Sequence, residues 1–587
     1  MKTKLANENF TENYMENLMK ARGVEDFEQF INPTKDNLQS WTDLTNIREG
    51  VALIDLVMRA EKPKRVAVIV DCDIDGETSA TIIYKYLKRL SPEIEIDYYL
   101  HEEKQHGLED VWKRIAEKDY NLLIIPDAGT NDGTYAEEID CPILVIDHHI
   151  LEDNSYFPDH MVVVNNQISP AYKNKDLSGA GMVYQFCRAL DDFYGVNWAD
   201  DYIDLAAVGI CGDMMSGLQI ENQYIWKTGF SNLQNLFLKT IARKQAFSIA
   251  GDANCSDREL AEALTPTAIA FYIVPMINAM IRVGTMEEKE RLFLAFIDGE
   301  QLVPCNKRGA KGTMEKVAIE SARECTNARL HQNKTKEQVV ECLEQKIFKN
   351  DLLENKILFI KLEDEDVFPK VLNGLVSMQL SNKYKKPTIV ARLNDQGYIR
   401  GSARGLNESE LASFKNYLNS TSLFEYTAGH DNAFGISIKD RDLDNLHAKA
   451  NVDLEEYDFD ASFYEVNFVR NATDKDIEKI VTEISRYTKL WSHKNNQPII
   501  GVNNINLAKA DIQIIGKNKD TIKFLKNGIT YMKFKATDMI EEIDKFDEIK
   551  MEITGTPNMN YFGGNCYPQI FIKGYEIHNN VTSITDF

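Results

Sequence analysis

The hydrophobic residues in the first third of the chain fall into short, uninterrupted runs that end abruptly at acidic residues or histidine. These runs occupy residues 66–70, 122–125, 143–146 and 205–212. Apolar runs of this length are typical of strands that are buried on both faces, as in a parallel sheet. Segments with helical periodicity alternate with the runs, so residues 64–230 are predicted to form a doubly wound parallel sheet.

The residues that end these runs are candidate metal ligands. They are Asp71, Asp73 and Asp75 after the first run, Asp127 after the second, Asp147, His148 and His149 after the third, and Asp213 after the fourth. Ligands of open α/β sheets bind just beyond the carboxyl ends of the strands, so these side chains are expected around one cavity. Clustered carboxylates repel one another unless a cation lies between them, and Mn²⁺ and Mg²⁺ take carboxylate oxygen. For any single run a solvated acidic turn or a helix cap is the alternative; the recurrence of the pattern favours a metal site.

The hydrophobic pattern divides the chain into five predicted segments. They are a helical extension over 1–62, a parallel-sheet domain over 63–290, connecting helices over 291–353, a smaller α/β domain over 354–450, and a mostly β domain over 456–587. One long helix is expected within 312–347, and five short candidate strands in the last segment suit an OB-like β-barrel. The predicted fold class is therefore α/β, with two α/β domains joined by a long helix and a C-terminal OB-like barrel.

Composition narrows the setting in which the protein works. The 587 residues carry a net charge of −24, whereas a nucleic-acid-binding protein is expected to show a basic footprint. Affinity for nucleic acid would therefore be confined to a lined groove. The nine cysteines show no C-x-x-C pairing, which fits a reducing compartment. The sequence has no apolar signal segment and no uninterrupted stretch of the ~18 apolar residues that span a membrane. We expect a cytoplasmic protein without a membrane partner.

The order of the motifs resembles that of a known family. D-x-D-x-D-G at 71–76, D-x-G at 127–129, D-H-H at 147–149 and G-D at 212–213 are similar to the DHH phosphoesterases, and within them to the RecJ-like exonucleases. Residues 177–181, 275–282, 401–405 and 429–435 resemble further RecJ-like segments. The loop that reads R-x-x-x-G-Y-G-L in that branch begins here with His101, so its arginine is missing. This departure, the acidic charge, and the divergent Met276 and Ile281 indicate a remote branch, which we expect to be phage-borne.

The resemblance implies a single-strand-specific 5′-to-3′ DNA exonuclease that uses two divalent ions, with Mn²⁺ preferred and Mg²⁺ as the alternative. By family geometry, Asp71, Asp73 and Asp127 serve one ion, and Asp75, Asp127, His148 and Asp213 serve the other, with Asp127 as the bridge. Asp127, His148 and His149 form the catalytic set, in which His149 offsets charge on the scissile phosphate. Asp147 is interpreted as a carboxylate that orients a histidine ring.

The resemblance also implies how the substrate is held. Ser402 and Arg404 are expected to bind a 5′ phosphate, His430 a backbone phosphate, and Asn278 and Arg282 the nucleic acid near the metal ions. His101 or Lys104 is the candidate replacement for the missing loop arginine, and weaker binding of the 5′ end is the alternative.

Two alternatives remain open at this point. One is another DHH hydrolase, acting on oligoribonucleotides, cyclic dinucleotides or 3′-phosphoadenosine phosphate. The other is a catalytically silent scaffold that binds single-stranded DNA, although such proteins tend to lose metal ligands and none is missing here. The expected partners are single-stranded DNA with a 5′ phosphate and a single-strand-binding protein or helicase, and the expected state is a monomer.

Overall fold

The structure, a computed structural model, describes residues 1–61, 63–363, 366–562 and 565–579. The strands are β1 Lys2–Leu5, β2 Arg65–Val70, β3 Glu95–Leu100, β4 Leu122–Pro126, β5 Ile143–Asp147, β6 Met161–Asn165, β7 Leu302–Pro304, β8 Met314–Lys316, β9 Leu358–Leu362, β10 Thr388–Leu393, β11 Tyr398–Arg404, β12 Phe424–His430, β13 Ala433–Lys439, β14 Phe463–Val466, β15 Phe468–Asn471, β16 Ile500–Ala508, β17 Gln513–Ile515, β18 Thr521–Lys526, β19 Ile529–Lys533, β20 Glu548–Phe562 and β21 Asn565–Asn579.

The α-helices are α1 Tyr14–Ala21, α2 Phe27–Ile31, α3 Ile47–Arg59, α4 Ile74–Leu90, α5 Trp112–Ala116, α6 Gly133–Ala136, α7 Gly179–Tyr194, α8 Ile203–Gly212, α9 Ile220–Ser231, α10 Leu236–Lys244, α11 Ala246–Ala250, α12 Asp257–Ala263, α13 Pro266–Ala268, α14 Val274–Val283, α15 Met286–Ile297, α16 Val317–Lys349, α17 Asn373–Tyr384, α18 Phe414–Ser420, α19 Leu443–Asp453, α20 Ile477–Ser485 and α21 Thr537–Ile543. A π-helical turn, Ile269–Ile273, joins α13 to α14.

The chain forms two compact units. The parallel-sheet unit comprises residues 22–332 and 487–497, and the mixed-sheet unit comprises residues 1–21, 333–486 and the described residues from 498 onward. The long helix α16 contributes its first half to one unit and its second half to the other. This division differs from the five predicted segments, and the finer division stays a prediction.

The parallel-sheet unit is built on five parallel strands in the order β3-β2-β4-β5-β6. Alternate residues of each strand enter two different cores, for example Val68 on one face and Ile69 on the other. Both faces are covered by helices, which explains why β2, β4 and β5 read as continuous apolar runs. The strand order reverses between β2 and β4, and ligands of doubly wound sheets bind at such a switch point.

One predicted strand of this unit is wrong. Residues 205–212 belong to helix α8, whose residues from Ile203 to Cys211 are all buried. A helix that is apolar on every side cannot be told from a buried strand by periodicity alone. Asp213 consequently follows the end of a helix instead of a strand. The fifth strand of the sheet is β6, which lies at its edge beside β5.

The mixed-sheet unit contains two larger sheets. The first has the order β12-β13-β11-β10-β9 and is the predicted smaller α/β domain. The second has seven strands in the order β15-β16-β20-β21-β19-β18-β17. It agrees with an OB-like domain in its β content, but no barrel is closed among the described residues. Strand β1 pairs in parallel with β14, which ties residues 2–5 to this unit and departs from the predicted helical extension.

One described helical stretch, Pro266–Val283, is long and apolar enough to cross a membrane by length and composition. Buried core helices pass the same test. Here Ile277 and Met280 of α14 belong to the main core of the parallel-sheet unit. We therefore interpret this stretch as a core helix.

Candidate metal centre

The first acidic motif lies where β2 ends and α4 begins. Asp73 caps the helix, because its Oδ1 accepts hydrogen bonds from the backbone N–H of Asp75 at 2.9 Å and of Gly76 at 3.2 Å. Gly76 is required here, since a Cβ at this position would lie 2.6 Å from the carbonyl oxygen of Asp71. Asn278 of α14 accepts a hydrogen bond from the N–H of Ile74 at 3.1 Å. The predicted residue Asn278 therefore stands directly beside the start of α4.

Asp75 is held by the N-terminus of α7. Its carboxylate accepts hydrogen bonds from the Ser178 hydroxyl at 2.9 Å and from the backbone N–H groups of Gly179 at 2.7 Å and Ala180 at 3.1 Å. The positive end of a helix stabilises such a carboxylate. Gly209 of α8 completes the cradle, because a Cβ there would lie 2.2 Å from Asp75 Oδ1. The L-S-G-A-G turn thus fixes one acidic residue of the first motif.

Asp127 follows β4 in a strained backbone conformation, with a φ of 65°. Non-glycine residues in this region are uncommon and are concentrated at functional sites. Its Oδ1 is buried and has no hydrogen-bond partner among the described residues. A Cβ at position 179 would lie 2.2 Å from the same oxygen, so Gly179 is what allows Asp127 to fit.

His148 brings the second and fourth predicted runs together. Its Nε2 lies 3.3 Å from Asp127 Oδ1 and 3.4 Å from Asp213 Oδ2. Within the described ranges of the chain, this nitrogen is also buried without a hydrogen-bond partner. Asp75, His148 and Asp213 offer ligand atoms within 4.8 Å of one another. Two orphaned polar atoms that face a third ligand are costly in a folded protein unless something binds them. The donor set therefore fits a divalent cation.

Asp147 uses both of its oxygens within the fold. Oδ1 accepts hydrogen bonds from the backbone N–H of His148 at 2.7 Å and from Nδ1 of His149 at 2.8 Å, and Oδ2 accepts one from the N–H of Thr130 at 3.1 Å. The His149 ring is half exposed. This geometry suits the orienting role that the sequence suggested for Asp147.

Burial and mutual repulsion raise the pKa values of several carboxylates of the first and second motifs and of Asp213. Burial raises the pKa of Asp127 well above its usual range, and the charges of Asp75, Asp73, Asp71 and Asp213 raise it further. Burial likewise raises the pKa values of Asp73, Asp75 and Asp213. A divalent cation among them would reverse these shifts.

The pKa values of the two histidines of the D-H-H motif are shifted in opposite directions. Burial lowers the pKa of His148 to about 4, which leaves its ring neutral and able to act as a ligand. Partial desolvation by itself would lower the pKa of His149, but the charge and hydrogen bond of Asp147 raise it to about 9. For Asp147, burial by itself would raise the pKa, and the charge and hydrogen bond of His149 hold it well below its usual range.

His106 is a site residue that the sequence reasoning placed in a loop without a role. Its Nδ1 lies 2.8 Å from Asp71 Oδ2, and the hydrogen bonds to Asp71 and to Cys72 raise its pKa to about 11. One signal in the sequence could have identified it: His106 stands where the R-x-x-x-G-Y-G-L pattern has tyrosine. The donors Ser178, Gly179 and Ala180 were likewise found as a motif only, without their contact to Asp75.

His101 does not face solvent. Its ring is 1% exposed, its Nδ1 lies 2.5 Å from Asp110 Oδ1, and its Nε2 lies 3.8 Å from Asp71 Oδ1. The position disfavours the predicted contact with a substrate phosphate. Arg282 lies four residues after Asn278 on α14, so the two share one helix face.

The other predicted phosphate contacts belong to the mixed-sheet unit. Ser402 and Arg404 lie on β11, and His430 ends β12. Arg404 and His430 both pair with Ala433 of the strand between them, so they lie in one row of the sheet. Arg404 donates to the carbonyl of Ala403 at 2.7 Å, and a Cβ on Gly374 would lie 2.4 Å from its Nη2.

Comparison with known proteins agrees with this fold and site. The profile of the DHH family, N-terminal domain, matches residues 65–210. The provisionally named SPbeta prophage-derived single-strand DNA-specific exonuclease YorK of Bacillus subtilis is 32% identical over 578 residues, covering 95% of each chain. The single-stranded-DNA-specific exonuclease RecJ of the same bacterium is 24% identical over 528 residues, covering 87% of this chain and 61% of that protein. The structure of RecJ from Thermus thermophilus in complex with Mn²⁺ has a TM-score of 0.70 at 17% identity, covering 98% of this chain and 79% of that one.

We call the carboxylates at the switch point of the doubly wound sheet the acidic cluster; they are Asp71, Asp73, Asp75, Asp127 and Asp213. The sheet and this cluster place the protein in the class of metal-dependent hydrolases. The chain belongs to the RecJ-like branch of the DHH family, as the identity to YorK over nearly the whole chain shows. The predictions of family and enzyme class are thereby confirmed, and the prophage origin of this relative agrees with the expected phage-borne branch.

Proposed function

We propose that the protein is a single-stranded-DNA-specific exonuclease that hydrolyses phosphodiester bonds from the 5′ end and releases 5′-mononucleotides. The observation that carries the proposal is the pair of buried ligand atoms without hydrogen bonds, Asp127 Oδ1 and His148 Nε2, beside Asp213. The name of the relative YorK supports single-stranded DNA as the substrate. We assign the activity to DNA recombination, repair or replication.

Two overlapping sets of side chains would hold two divalent ions, with Mn²⁺ preferred over Mg²⁺. The first set is Asp71, Asp73 and Asp127, and the second is Asp75, Asp127, His148 and Asp213. When bound, the ions would supply an activated water and offset the charge of the phosphate. A carboxylate has about four acceptor positions. Ser178, Gly179 and Ala180 fill three of those of Asp75, which leaves room for a cation.

His149 would act on the phosphate itself. Its ring is half exposed and is protonated at neutral pH, because Asp147 raises its pKa to about 9. A fixed positive charge beside the scissile phosphate stabilises the negative charge that develops there during hydrolysis. Asp147 holds the ring in place through the bond to its Nδ1.

The contacts to the nucleic acid are divided between the two units. In the parallel-sheet unit, Asn278 and Arg282 would bind the strand next to the metal centre. In the mixed-sheet unit, Ser402 and Arg404 would bind the 5′ phosphate and His430 a backbone phosphate, as suits a hydroxyl and a guanidinium fork. His101 is left out of this set because its ring is buried.

The remaining expectations about the protein's surroundings stay predictions. They are a monomeric state, a cytoplasmic location, and an association with a single-strand-binding protein or a helicase.

The test uses single-stranded DNA that carries a 5′ phosphate and an internal label, incubated with the native protein and Mn²⁺. Mononucleotides should appear from the 5′ end, and blunt duplex DNA should stay intact. Asp127→Ala should abolish release, because it removes the shared ligand. Asp159→Ala is the matched control, since it removes an exposed carboxylate of the same unit, and it should cleave like the native protein.

Two results would contradict the proposal. Binding of single-stranded DNA without cleavage by any divalent ion would indicate a silent scaffold. Cleavage limited to dinucleotides or cyclic dinucleotides would indicate a small-substrate phosphodiesterase.

A further inference from the structure

The loop between β3 and α5 brings a histidine onto the acidic cluster. His106 Nδ1 lies 2.8 Å from Asp71 Oδ2, and the two ring nitrogens lie 3.7 and 3.8 Å from Cys72 Sγ. Asp71, Cys72 and His106 offer ligand atoms within 4.8 Å of one another. The His106 ring is half exposed, whereas Asp71 is buried. An ion bound to Asp71 would therefore be within reach of the imidazole, which stays open to solvent on its other side.

The surrounding loop is held in the conformation that this contact needs. The backbone N–H of Gly107 donates to Asp71 Oδ1 at 3.1 Å, and the N–H of Leu108 donates to Asp132 Oδ2 at 2.8 Å. Gly107 has a φ of 55°, and a Cβ there would lie 2.0 Å from Asp132 Oδ2. His106 is thus placed by backbone bonds on its C-terminal side and does not reach the cluster through a flexible side chain alone.

The chemistry of the ligand atoms decides which ion would bind. Carboxylate oxygen suits Mg²⁺ and Mn²⁺ alike, whereas imidazole nitrogen is a ligand for transition metals and a poor one for Mg²⁺. At the corresponding position the RecJ-like pattern has a tyrosine. A histidine here adds a nitrogen ligand next to Asp71.

We propose that His106 is a ligand of the ion bound by Asp71, and that it makes this position selective for Mn²⁺ or another transition metal over Mg²⁺. The inference rests on the metal centre of the proposed function but not on its DNA substrate. It predicts two histidine ligands in the complete centre, His106 for one ion and His148 for the other.

The test is metal binding by the full-length protein without DNA. Metal-free protein is titrated with MnCl₂ and, separately, with MgCl₂, for the native chain, His106→Gln and His331→Gln. Removal of His106 should weaken one Mn²⁺ site by about tenfold or more and leave Mg²⁺ binding unchanged. His331 is an exposed histidine of the same unit, so His331→Gln should bind both metals like the native protein.

A second measurement counts the nitrogen ligands directly. Electron spin echo spectra of the Mn²⁺-loaded native protein should show nitrogen modulation from two histidines, and those of His106→Gln from one. His106→Tyr, which restores the family residue, should also lose one nitrogen and keeps the loop filled with a ring.

The outcomes separate this inference from the proposed function. Equal Mn²⁺ affinity in the native protein and His106→Gln would overturn it, and so would an equal loss for both metals, which would indicate a collapsed loop. Because no DNA is present, inactivity on single strands would refute the exonuclease and leave the His106 result standing.

Discussion

At the scale of single residues, the side-chain atoms of the site differ in whether the fold supplies them with hydrogen bonds. Both oxygens of Asp147 are used within the fold, and three donors hold the carboxylate of Asp75. Asp127 Oδ1 and His148 Nε2 are buried and have no such partner in the portion of the chain that the structure describes. The fold thus orients Asp147 and Asp75 with hydrogen bonds, and Asp75 keeps an acceptor position for a cation. Asp127 Oδ1 and His148 Nε2 are the two atoms of the second ligand set that the described residues leave unsatisfied.

The variant Gly179→Ala tests whether the position of the Asp127 carboxylate depends on the close approach of α7. In Gly179→Ala the new Cβ would lie 2.2 to 2.5 Å from side-chain atoms of Asp127, so that carboxylate must move. We expect a loss of about 1–3 kcal/mol in the free energy of unfolding, as for an overpacked core, together with weaker Mn²⁺ binding. Denaturant unfolding and metal titration measure the two effects.

The matched control for this substitution is Gly195→Ala. Gly195 ends α7 with a φ of 66° in open space, so alanine there costs about 1–2 kcal/mol of backbone strain. Its Mn²⁺ affinity should equal that of the native protein. If both variants lose metal affinity alike, the effect of Gly179 is only a general loss of stability.

The Asp147–His149 pair has a defined pH window. Because the pKa of His149 is raised to about 9, its contribution to stability is complete below its unfolded pKa of about 6.5 and is lost as pH rises through 9. Asp147 has a lowered pKa, so its contribution is present above its usual range and is lost as pH falls below it. In metal-free protein with ¹³C-labelled histidine, the His149 resonance should titrate near pH 9.

The variant Asp147→Asn tests the cause of that shift. Without the carboxylate charge, the pKa of His149 should fall well below 9, because desolvation still lowers it and only the charges of Asp213 and Asp71 still raise it. A midpoint that stays near 9 in this variant would show that another group holds the proton.

At the scale of elements, the N-terminus of α7 holds the carboxylate of Asp75, a contact that the sequence motif did not predict. Ser178 caps this helix and also donates to Asp75 at 2.9 Å. Ser178→Ala should cost about 1 kcal/mol of stability, as the loss of a cap does, and should also weaken metal binding because Asp75 loses a donor. Thermal unfolding and Mn²⁺ titration measure the two losses.

Ser256→Ala provides the comparison. Ser256 caps α12 in a capping box and makes its bonds with Glu259, away from the acidic cluster. A similar loss of stability with unchanged metal affinity is expected. Reduced metal affinity in both variants would mean that capping, and not the bond to Asp75, is what matters.

The elements also show where sequence reasoning succeeds and where it stops. Strands β2, β4 and β5 were predicted because both of their faces are buried, and their acidic ends lie at the carboxyl edge of the sheet. The ligand roles of these acidic residues stay a prediction. Helix α8 was mistaken for a strand, since burial on every side removes its periodicity. The contact of His106 with Asp71 joins residues 35 positions apart through a loop, and no periodic pattern encodes such a contact.

At the scale of the whole molecule, long-range pairing limits what the sequence can tell. Strand β1 is a short, exposed segment, and its partner β14 lies more than 450 residues further along the chain. The closure of the predicted barrel likewise depends on strand partners, and in the part of the chain that the structure describes the sheet has seven strands and is not closed. Fold class and family could be predicted because they depend on local motifs, whereas the assembly of the sheets depends on contacts between distant segments.

The net charge of −24 is also a property of the whole chain that the site helps to explain. The carboxylates of the acidic cluster add to it, and bound cations would offset them. An acidic surface repels duplex DNA and limits binding to the places where cations or arginines line the path. The charge therefore accords with a nuclease that selects single strands.

The central claim is that Asp127 is shared by two metal ions, and crystals soaked in MnCl₂ test it most directly. An anomalous difference map should show two manganese peaks about 3.5–4 Å apart, both in contact with the Asp127 carboxylate. One peak should lie next to His148, and the other should lie next to Asp71. A map with a single peak, or with peaks that do not touch Asp127, would contradict the account.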